Sequence, residues 1–284
     1  MTAGTQPDFG IVWSASLARA PADQVAEWLA FAQAMCDEAD GIALQHFRRE
    51  LDLQTKPDRT FVTVADQRIE QQIRERIKER YPDHDLVGEE YGEEAGTGSI
   101  RWYIDPIDGT HNFIRGIPLF GTLLALEADG ELQVGVMSAP ALRERWYAAR
   151  GTGAWAAGTV GTLAPRRIGV SRIATIGDSQ LLYGSSAEIE DSGRAPGFRP
   201  LLRDVWRERG FGDFWGYALV AEGSAEGMIE IGVSTWDLAA PTVLIEEAGG
   251  RLTDLAGTRR IDGGEMLASN GTLHEELLRR LRGS

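Results

Sequence analysis

Hydrophobic residues recur at helical spacing in two stretches near the start of the chain. The first covers residues 25–44 and follows Asp23, a residue type suited to cap the helix. The second covers residues 69–77, where isoleucines alternate with charged residues, and it stops at Pro82. These stretches predict two amphipathic helices, separated by an irregular segment that contains Lys56.

Extended patterns follow in the middle of the chain. Short apolar runs at residues 86–88 and 102–104 predict strands. Two longer runs flank Asp129-Gly130, a sequence typical of a hairpin turn. Residues 144–158 predict another pair of strands around a glycine-rich turn.

The last part of the chain mixes both patterns. Residues 184–200 are rich in Gly, Ser and Pro and predict a loop. Residues 217–255 predict helix, strand, a turn at Trp236-Asp237, helix and strand, and residues 273–284 predict a terminal amphipathic helix.

These elements indicate an α/β (α+β) fold with three segments. We expect a flexible leader at residues 1–21, an N-terminal α+β half at residues 22–160 and a C-terminal α/β half at residues 161–284. The two halves are expected to form one compact unit.

Composition narrows the class of protein. The 284 residues are 43% hydrophobic and 25% charged, which is ordinary for a globular protein. Acidic residues outnumber basic ones by 43 to 29, so the formal charge of −14 argues against nucleic acid as a partner. No apolar run is long enough to span a membrane, and no secretory signal is evident. With Cys36 as a single, expectedly buried thiol, the pattern favours a cytoplasmic protein.

Carboxylates follow three apolar runs. Glu89 follows residues 86–88, and Asp105 and Asp108 follow residues 102–104. Asp237 follows residues 233–236 and precedes an apolar helix. Because ligands gather at strand ends in α/β proteins, we expect these side chains to converge.

A cluster of carboxylates repels itself unless a cation neutralises it. Oxygen ligands select Mg²⁺ or Mn²⁺, whereas the histidines are scattered and offer no paired nitrogen site for zinc (His46, His84, His111 and His274). The alternative is that Asp108 and Asp237 cap the helices that follow them. Capping does not account for the sequences GEE and DPIDGT together, so the sequence favours a magnesium site.

Gly109 and Thr110 begin the helix that follows Asp108. The first N–H groups of a helix attract anions. Metal-binding carboxylates beside an anion cradle are typical of phosphoryl chemistry.

Three motifs in this order resemble the signatures of the inositol monophosphatase-like family: GEE at residues 88–90, DPIDGTHNF at 105–113 and WDLAAPTVLIEEAGG at 236–250. The resemblance runs from about residue 25 to the C-terminus, and Lys56 and Asp66 fit upstream positions of the family. It implies a layered αβαβα sandwich, a homodimer and magnesium-dependent hydrolysis of a small-molecule phosphate ester. Residues 145–155 and 210–217 look most like the actinobacterial histidinol-phosphate phosphatase branch.

The resemblance also implies the metal ligands. Glu89, Asp105 and the backbone carbonyl of Ile107 match a first Mg²⁺ site, and Asp105, Asp108 and Asp237 match a second. A weaker third ion is implied near Glu89, so two to three ions per site are expected, with Mn²⁺ as an alternative.

Catalytic and phosphate-binding residues follow from the same resemblance. Thr110 and Asp66 match positions that orient the attacking water and help to remove its proton, and Glu89 is the third expected catalytic residue. The expected phosphate-end set comprises Ile107, Asp108, Gly109, Thr110 and Asp237.

The alcohol part of the substrate is expected to meet other residues. Asp213 and Glu230 match positions that could pair with the ammonium or imidazole of histidinol phosphate, and Arg209 matches a position that could reach the phosphate. Each also has a plainer interpretation. Asp213 could be a turn residue, Glu230 an acid at the end of a strand, and Arg209 a solvated charge.

Three rival functions remain at this point. The first is an inositol-1-phosphate or broad sugar-phosphate monophosphatase. The second is a bisphosphatase, which would need Arg207 and Arg209 for a second phosphate. The third is a non-catalytic metal-binding regulatory protein of the same fold.

Overall fold

The structure is a computed structural model. It describes residues 20–49, 53–55, 61–159 and 164–283, with the side chains of 53–55 and 61 left out. The expected leader therefore lies almost entirely outside the described residues, as do Lys56 and the expected boundary between residues 160 and 161. The proposed division into halves stays a prediction.

The described helices occur along the whole chain and are, in order, α1 Ala22–His46, α2 Val64–Arg80, α3 Thr110–Ile114, α4 Ser186–Asp191, α5 Phe198–Asp204, α6 Asp213–Ala221, α7 Thr235–Glu247 and α8 His274–Leu281.

The described strands form three sheets. A small two-stranded sheet pairs β1 Leu53–Thr55 with β2 Phe61–Thr63. The large sheet has eight strands, and the third sheet has five.

The strands of the large sheet are β3 Asp85–Gly88, β4 Gly92–Glu94, β5 Ile100–Asp108, β6 Gly121–Ala128, β7 Glu131–Ala139, β8 Glu144–Ala149, β9 Gly153–Gly158 and β10 Arg166–Ile168. Those of the five-stranded sheet are β11 Gln180–Tyr183, β12 Arg207–Arg209, β13 Gly227–Ile231, β14 Arg251–Thr253 and β15 Glu265–Ser269. The large sheet has the strand order β10-β9-β8-β7-β6-β5-β3-β4, and the five-stranded sheet has the order β12-β11-β13-β15-β14.

Three hydrophobic cores stack these elements into layers. Helices α1 and α2 pack on one face of the large sheet through residues such as Trp28, Ile73 and Trp102. Helices α6 and α7 fill the space between the two sheets, and α4, α5 and α8 cover the outer face of the smaller one. The expected layered αβαβα sandwich is confirmed.

Several local predictions are also confirmed. The expected hairpin joins β6 and β7, where Asp129 and Gly130 both take positive φ angles, 51° and 77°. Cys36 is buried in α1, and burial raises the pKa of its thiol to about 12.

Three local predictions were wrong. Helix α1 begins at Ala22, directly after Pro21, so Asp23 lies inside the first turn and is not its cap. The segment 184–200 contains α4 because Ile189 packs into the third core. Trp236-Asp237 belongs to the first turn of α7 rather than to a separate turn.

None of the helices that the structure describes is both long enough and apolar enough to cross a membrane.

Candidate active site

An open cavity of about 720 Å³ lies where the ends of both larger sheets approach each other. Its walls come from the turn after β3, the end of β5, the start of α3, the segments before α4 and α6, the end of β13 and the start of α7. Every expected metal ligand lines it: Glu89, Asp105, Ile107, Asp108 and Asp237. The predicted convergence of the three motifs is therefore present in the fold.

A β-bulge brings Asp105 and Asp108 to the same place. Residues three apart on a regular strand face opposite sides of the sheet. Here Asp105 pairs with Leu123 while Asp108 pairs with Gly121, so β5 carries one extra residue at Pro106-Ile107. A bulge re-aims side chains and tolerates proline, which lacks an N–H.

Asp237 reaches the cavity from the first turn of α7. Its Oδ2 accepts the N–H of Ser234 at 2.7 Å, within a reciprocal capping box. Carboxylate oxygens of Asp237, Asp105 and Asp108 lie within 4.8 Å of one another. Ser234 is thus the N-cap of α7, and Asp237 supports it as the third residue of the helix rather than being the cap itself. Asp237 also belongs to the acidic cluster.

Asp108 does not cap α3. Gly109 occupies the N-cap position, and the N–H of Phe214 at the start of α6 donates to Oδ2 of Asp108. This bond links the end of β5 to the helix on the far side of the cavity.

The cluster is electrostatically strained without a cation. Burial, followed by the charges of Glu89, Asp108 and Asp237, raises the pKa of Asp105 well above its usual value. Burial raises the pKa of Asp108 well above its usual value too, and that of Asp237 to about 7. Hard divalent cations relieve such repulsion, and these oxygen-only donors fit Mg²⁺ or Mn²⁺.

A buried oxygen without a partner supports the same fit. Oδ1 of Asp105 is buried and has no hydrogen-bond partner, although an orphaned buried acceptor is costly. Glu89 lies outside the set within 4.8 Å, but its charge contributes to the raised pKa of Asp105. The residues present can therefore hold a metal ion.

Gly109 and Thr110 line the same cavity, directly after Asp108 in the chain. Gly109 has φ 79°, and a Cβ there would lie 2.8 Å from the carbonyl oxygen of Leu119, so only glycine fits. The hydroxyl of Thr110 donates to the carbonyl of Ile107 at 3.0 Å. That carbonyl keeps a second lone pair, as the expected metal contact requires.

Asp66 is not among the residues that line the cavity, and it lies in the first turn of α2. It is fully buried, and its Oδ2 accepts both the N–H (2.9 Å) and the hydroxyl of Thr63 in a capping box. Its Oδ1 is buried without a partner. Burial, opposed by these hydrogen bonds and assisted by the charge of Glu89, raises the pKa of Asp66 to about 6.

Asp213 and Glu230 also line the cavity, and a Cβ at Gly109 would lie 3.4 Å from Oδ2 of Asp213, so Asp213 borders the metal motifs. The N–H of Asp213 donates to Oε1 of Glu230 at 3.1 Å, and the hydroxyl of Tyr217 donates to Oε2 at 2.8 Å. Burial raises the pKa of Glu230 to about 8 and raises that of Asp213. Asp213 takes φ 59°, an unusual angle for a residue other than glycine.

Arg209 is not among the residues that line the cavity. It ends β12, next to the lining residue Gly210, and its guanidinium donates to the backbone carbonyl of Glu208 at 2.7 Å. Its expected contact with phosphate stays a prediction. Of the described residues that line the cavity, none is lysine or arginine.

Two polar neighbours of this region were missed from the sequence. Asn112 donates its side-chain N–H to Oδ2 of Asp213 at 3.1 Å, and Tyr217 holds Glu230. The spacing of four between Asp213 and Tyr217 on α6 could have indicated a shared helix face.

The fold and the cavity define a class: a layered α/β protein whose carboxylate cluster can hold a metal ion. A model of the inositol monophosphatase family matches residues 24–284. Histidinol-phosphatase from Mycobacterium tuberculosis is 43% identical over 89% of this chain and 97% of its own length. Histidinol-phosphatase from Streptomyces coelicolor is 42% identical over 88% and 95%.

A solved structure gives the same picture. The IMPase of Thermotoga maritima superposes with a TM-score of 0.80 at 29% identity, over 90% of this chain and 97% of that one. The chain therefore belongs to the inositol monophosphatase family. It is a phosphoric monoester hydrolase.

Proposed function

We propose that the protein hydrolyses L-histidinol phosphate to L-histidinol and phosphate, with Mg²⁺ as the cation, as a step of histidine biosynthesis. Two relatives that share more than two fifths of its residues are histidinol-phosphatases by name, at 43% and 42% identity. The proposal also has support from the cavity itself.

The observation that carries the proposal is that carboxylates other than the expected metal ligands line the same cavity. The four expected ligands Glu89, Asp105, Asp108 and Asp237 would serve the cations. Of the other lining carboxylates, Glu188 is exposed, so Asp213 and Glu230 are the more buried pair left to face the rest of the ester. A buried pair of carboxylates favours a cationic group, because such a group relieves their desolvation and mutual repulsion. Histidinol phosphate brings an ammonium and an imidazole to that position, whereas a cyclitol brings only hydroxyls.

The residues of the chain have defined tasks in this proposal. The N–H groups of Gly109 and Thr110 hold phosphate oxygens at the start of α3. Thr110 and Asp66, with Glu89, orient the attacking water and accept its proton, and the unpartnered Oδ1 of Asp66 is the proposed acceptor. Asp213 and Glu230 orient the leaving alcohol through its cationic groups.

Glu89, Asp105, Asp108, Asp237 and the carbonyl of Ile107 would hold two to three ions. When bound, Mg²⁺ would neutralise the charge of the phosphate and lower the pKa of the attacking water. The homodimer that the resemblance implies is proposed as the working form, and light scattering of the purified protein tests it. The cytoplasmic location stays a prediction.

The first test measures phosphate release with Mg²⁺ and compares kcat/KM for L-histidinol phosphate and inositol 1-phosphate. We expect a preference of about a hundredfold or more for histidinol phosphate, equivalent to about 2.7 kcal/mol of transition-state discrimination. Comparable values for both esters would refute the proposed substrate.

A variant locates the source of the preference. Asp213→Asn removes the charge, while asparagine tolerates the left-handed backbone of this position and can still accept the bond from Asn112. The preference should fall about tenfold or more. The control is Asp191→Asn, which removes an exposed charge at the end of α4 and should leave the preference unchanged.

An inositol-1-phosphate or sugar-phosphate monophosphatase is the second candidate. It is favoured by the similarity to the IMPase fold, and it needs the same phosphate end of the cavity. It predicts that Asp213→Asn barely alters the ranking of esters. The bisphosphatase alternative lacks support, since neither Arg207 nor Arg209 lines the cavity.

A further inference from the structure

Glu89 sits on a tight turn that the β-ladder alone does not hold. Residues 89–91 join β3 to β4, and the ladder closes at the pair Gly88 and Gly92. The N–H of Glu89 donates to the carbonyl of Ile104 in the neighbouring strand at 3.2 Å. The next two N–H groups of the turn need acceptors from elsewhere.

Glu70 of helix α2 supplies both acceptors. Its Oε2 accepts the N–H of Glu90 at 2.7 Å, and its Oε1 accepts the N–H of Tyr91 at 3.2 Å. The side chain of Glu70 is fully buried, with a relative exposure of 0%. A buried carboxylate that accepts two backbone N–H groups forms strong, charge-assisted bonds.

Arg74 completes this arrangement one helical turn later. Its Nε donates to Oε1 of Glu70 at 2.7 Å, and its terminal nitrogen donates to the carbonyl of Gly92. The guanidinium therefore balances the charge of Glu70 and holds the far end of the same turn. Glu70 and Arg74 together therefore bond two N–H groups of the turn and the carbonyl at its far end.

Gly88 makes the close approach feasible. A Cβ at this position would lie 2.1 Å from Oε1 of Glu70. The first residue of the GEE motif thus leaves room for the carboxylate beneath the turn, while the second points to the metal cluster. Helix α2 also carries Asp66, four residues before Glu70, so both lie on one helix face.

We propose that Glu70 is a positioning residue that fixes the turn bearing Glu89 in place relative to Asp66, and thereby sets the affinity of the site for Mg²⁺. The inference rests on the proposed role of Glu89 as a metal ligand. Groups that orient metal ligands typically change metal affinity by about 10- to 100-fold when they are replaced.

The test uses the full-length variant Glu70→Gln, which keeps the shape of the side chain. Its amide has a single acceptor oxygen, so its NH2 group would face one of the two backbone N–H groups that Glu70 binds. We expect the half-saturating Mg²⁺ concentration for phosphate release to rise about tenfold or more. The KM of the ester at saturating Mg²⁺ should change less than threefold. The matched control is Glu75→Gln, an exposed residue of the same helix that bonds only Gln71 among its described partners.

A second readout does not depend on turnover. Mg²⁺ added without substrate should raise the Tm of the wild-type protein and of Glu75→Gln. The Glu70→Gln protein should need about tenfold more Mg²⁺ for the same rise, because ligand stabilisation follows the ratio of concentration to Kd. A general loss of stability would lower the Tm without changing the Mg²⁺ concentration at which the Tm rises.

Each outcome decides a different point. If folded Glu70→Gln matches the wild-type Mg²⁺ midpoints within twofold, the positioning role is refuted. If the wild-type protein neither releases phosphate with Mg²⁺ nor gains Tm from it, the proposed function fails instead. Should Glu70→Gln not fold, Glu70→Asp replaces it: the charge beside Arg74 stays, but the shorter side chain loses reach, and an unchanged midpoint again refutes the role.

Discussion

Replacing Glu230 by glutamine is expected to raise the stability of the metal-free protein and to lower its selectivity. Glu230 is 8% exposed, and burial raises the pKa of its carboxyl from 4.5 to about 8. A carboxyl whose folded pKa is raised destabilises the fold as the pH rises above its unfolded pKa. The cost therefore begins near pH 4.5 and is complete above about pH 8.

The size of the effect follows from this shift. A rise from 4.5 to about 8 corresponds to about 5 kcal/mol for a single site. Glutamine weakens the bonds to Tyr217 and to the N–H of Asp213, at about 1 kcal/mol each. We expect Glu230→Gln to gain roughly 2–3 kcal/mol at pH 8.5. At pH 4.5, where the folded carboxyl is neutral, only the weakened bonds count, and the variant should lose up to about 2 kcal/mol.

The assay is urea denaturation in EDTA at both pH values, together with kcat/KM for histidinol phosphate and inositol 1-phosphate. Selectivity for histidinol phosphate should fall about tenfold or more while stability rises. The control Glu188→Gln removes an exposed carboxylate at the edge of the same cavity. Its stability should change by less than about 0.5 kcal/mol.

Two results would contradict this reasoning. A stability difference that is equal at pH 4.5 and 8.5 would mean that packing, rather than the carboxylate charge, decides the effect. Unchanged selectivity would mean that Glu230 serves the structure of the cavity wall and does not pair with a cationic group of the ester.

Three further predictions concern other parts of the chain. Asp105→Asn should lower kcat about a thousandfold or more, because it removes a proposed metal ligand. Its Tm in EDTA should stay the same or rise, because one of three mutually repelling carboxylates is removed. Near-normal phosphate release would disprove the metal assignment. Gly109→Ala should lower the free energy of unfolding in urea by about 1–3 kcal/mol and abolish phosphate release, because Gly109 has φ 79° and a Cβ there would lie 2.8 Å from a carbonyl oxygen. The control Gly130→Ala changes a glycine at φ 77° with open space around it. It should lower the free energy of unfolding by only about 1 kcal/mol and leave the protein active. Burial lowers the pKa of His274 to about 4, so the free energy of unfolding should fall by about 3 kcal/mol as the pH drops from 6.5 to 4. Urea denaturation of His274→Gln should show a shallower fall over this range. An equally steep fall would show that other groups cause it.

The sequence predicted the members of the acidic cluster but not how they meet. Asp105 and Asp108 were expected to share a target, yet the bulge that turns both towards it depends on the pairing of β5 with β6. The roles of Glu70 and Tyr217 depend on contacts with residues 20 and 13 positions away, which helical periodicity cannot show. Helix α4 was missed because its composition is that of a loop, and its packing against a distant sheet decides its conformation.

The site carboxylates differ in how the backbone anchors them, and the difference separates their tasks. In Asp108, Asp237 and Asp66, one carboxylate oxygen accepts a backbone N–H. The donors are Phe214 for Asp108, Ser234 for Asp237 and Thr63 for Asp66. Such a bond orients each acid and engages a single oxygen. Both oxygens of Glu230 already accept a bond, one from Asp213 and one from Tyr217. Two bonds orient the carboxylate of Glu230, and each oxygen keeps a lone pair for a cationic group of the substrate. The loss of its charge should therefore change selectivity more than metal binding.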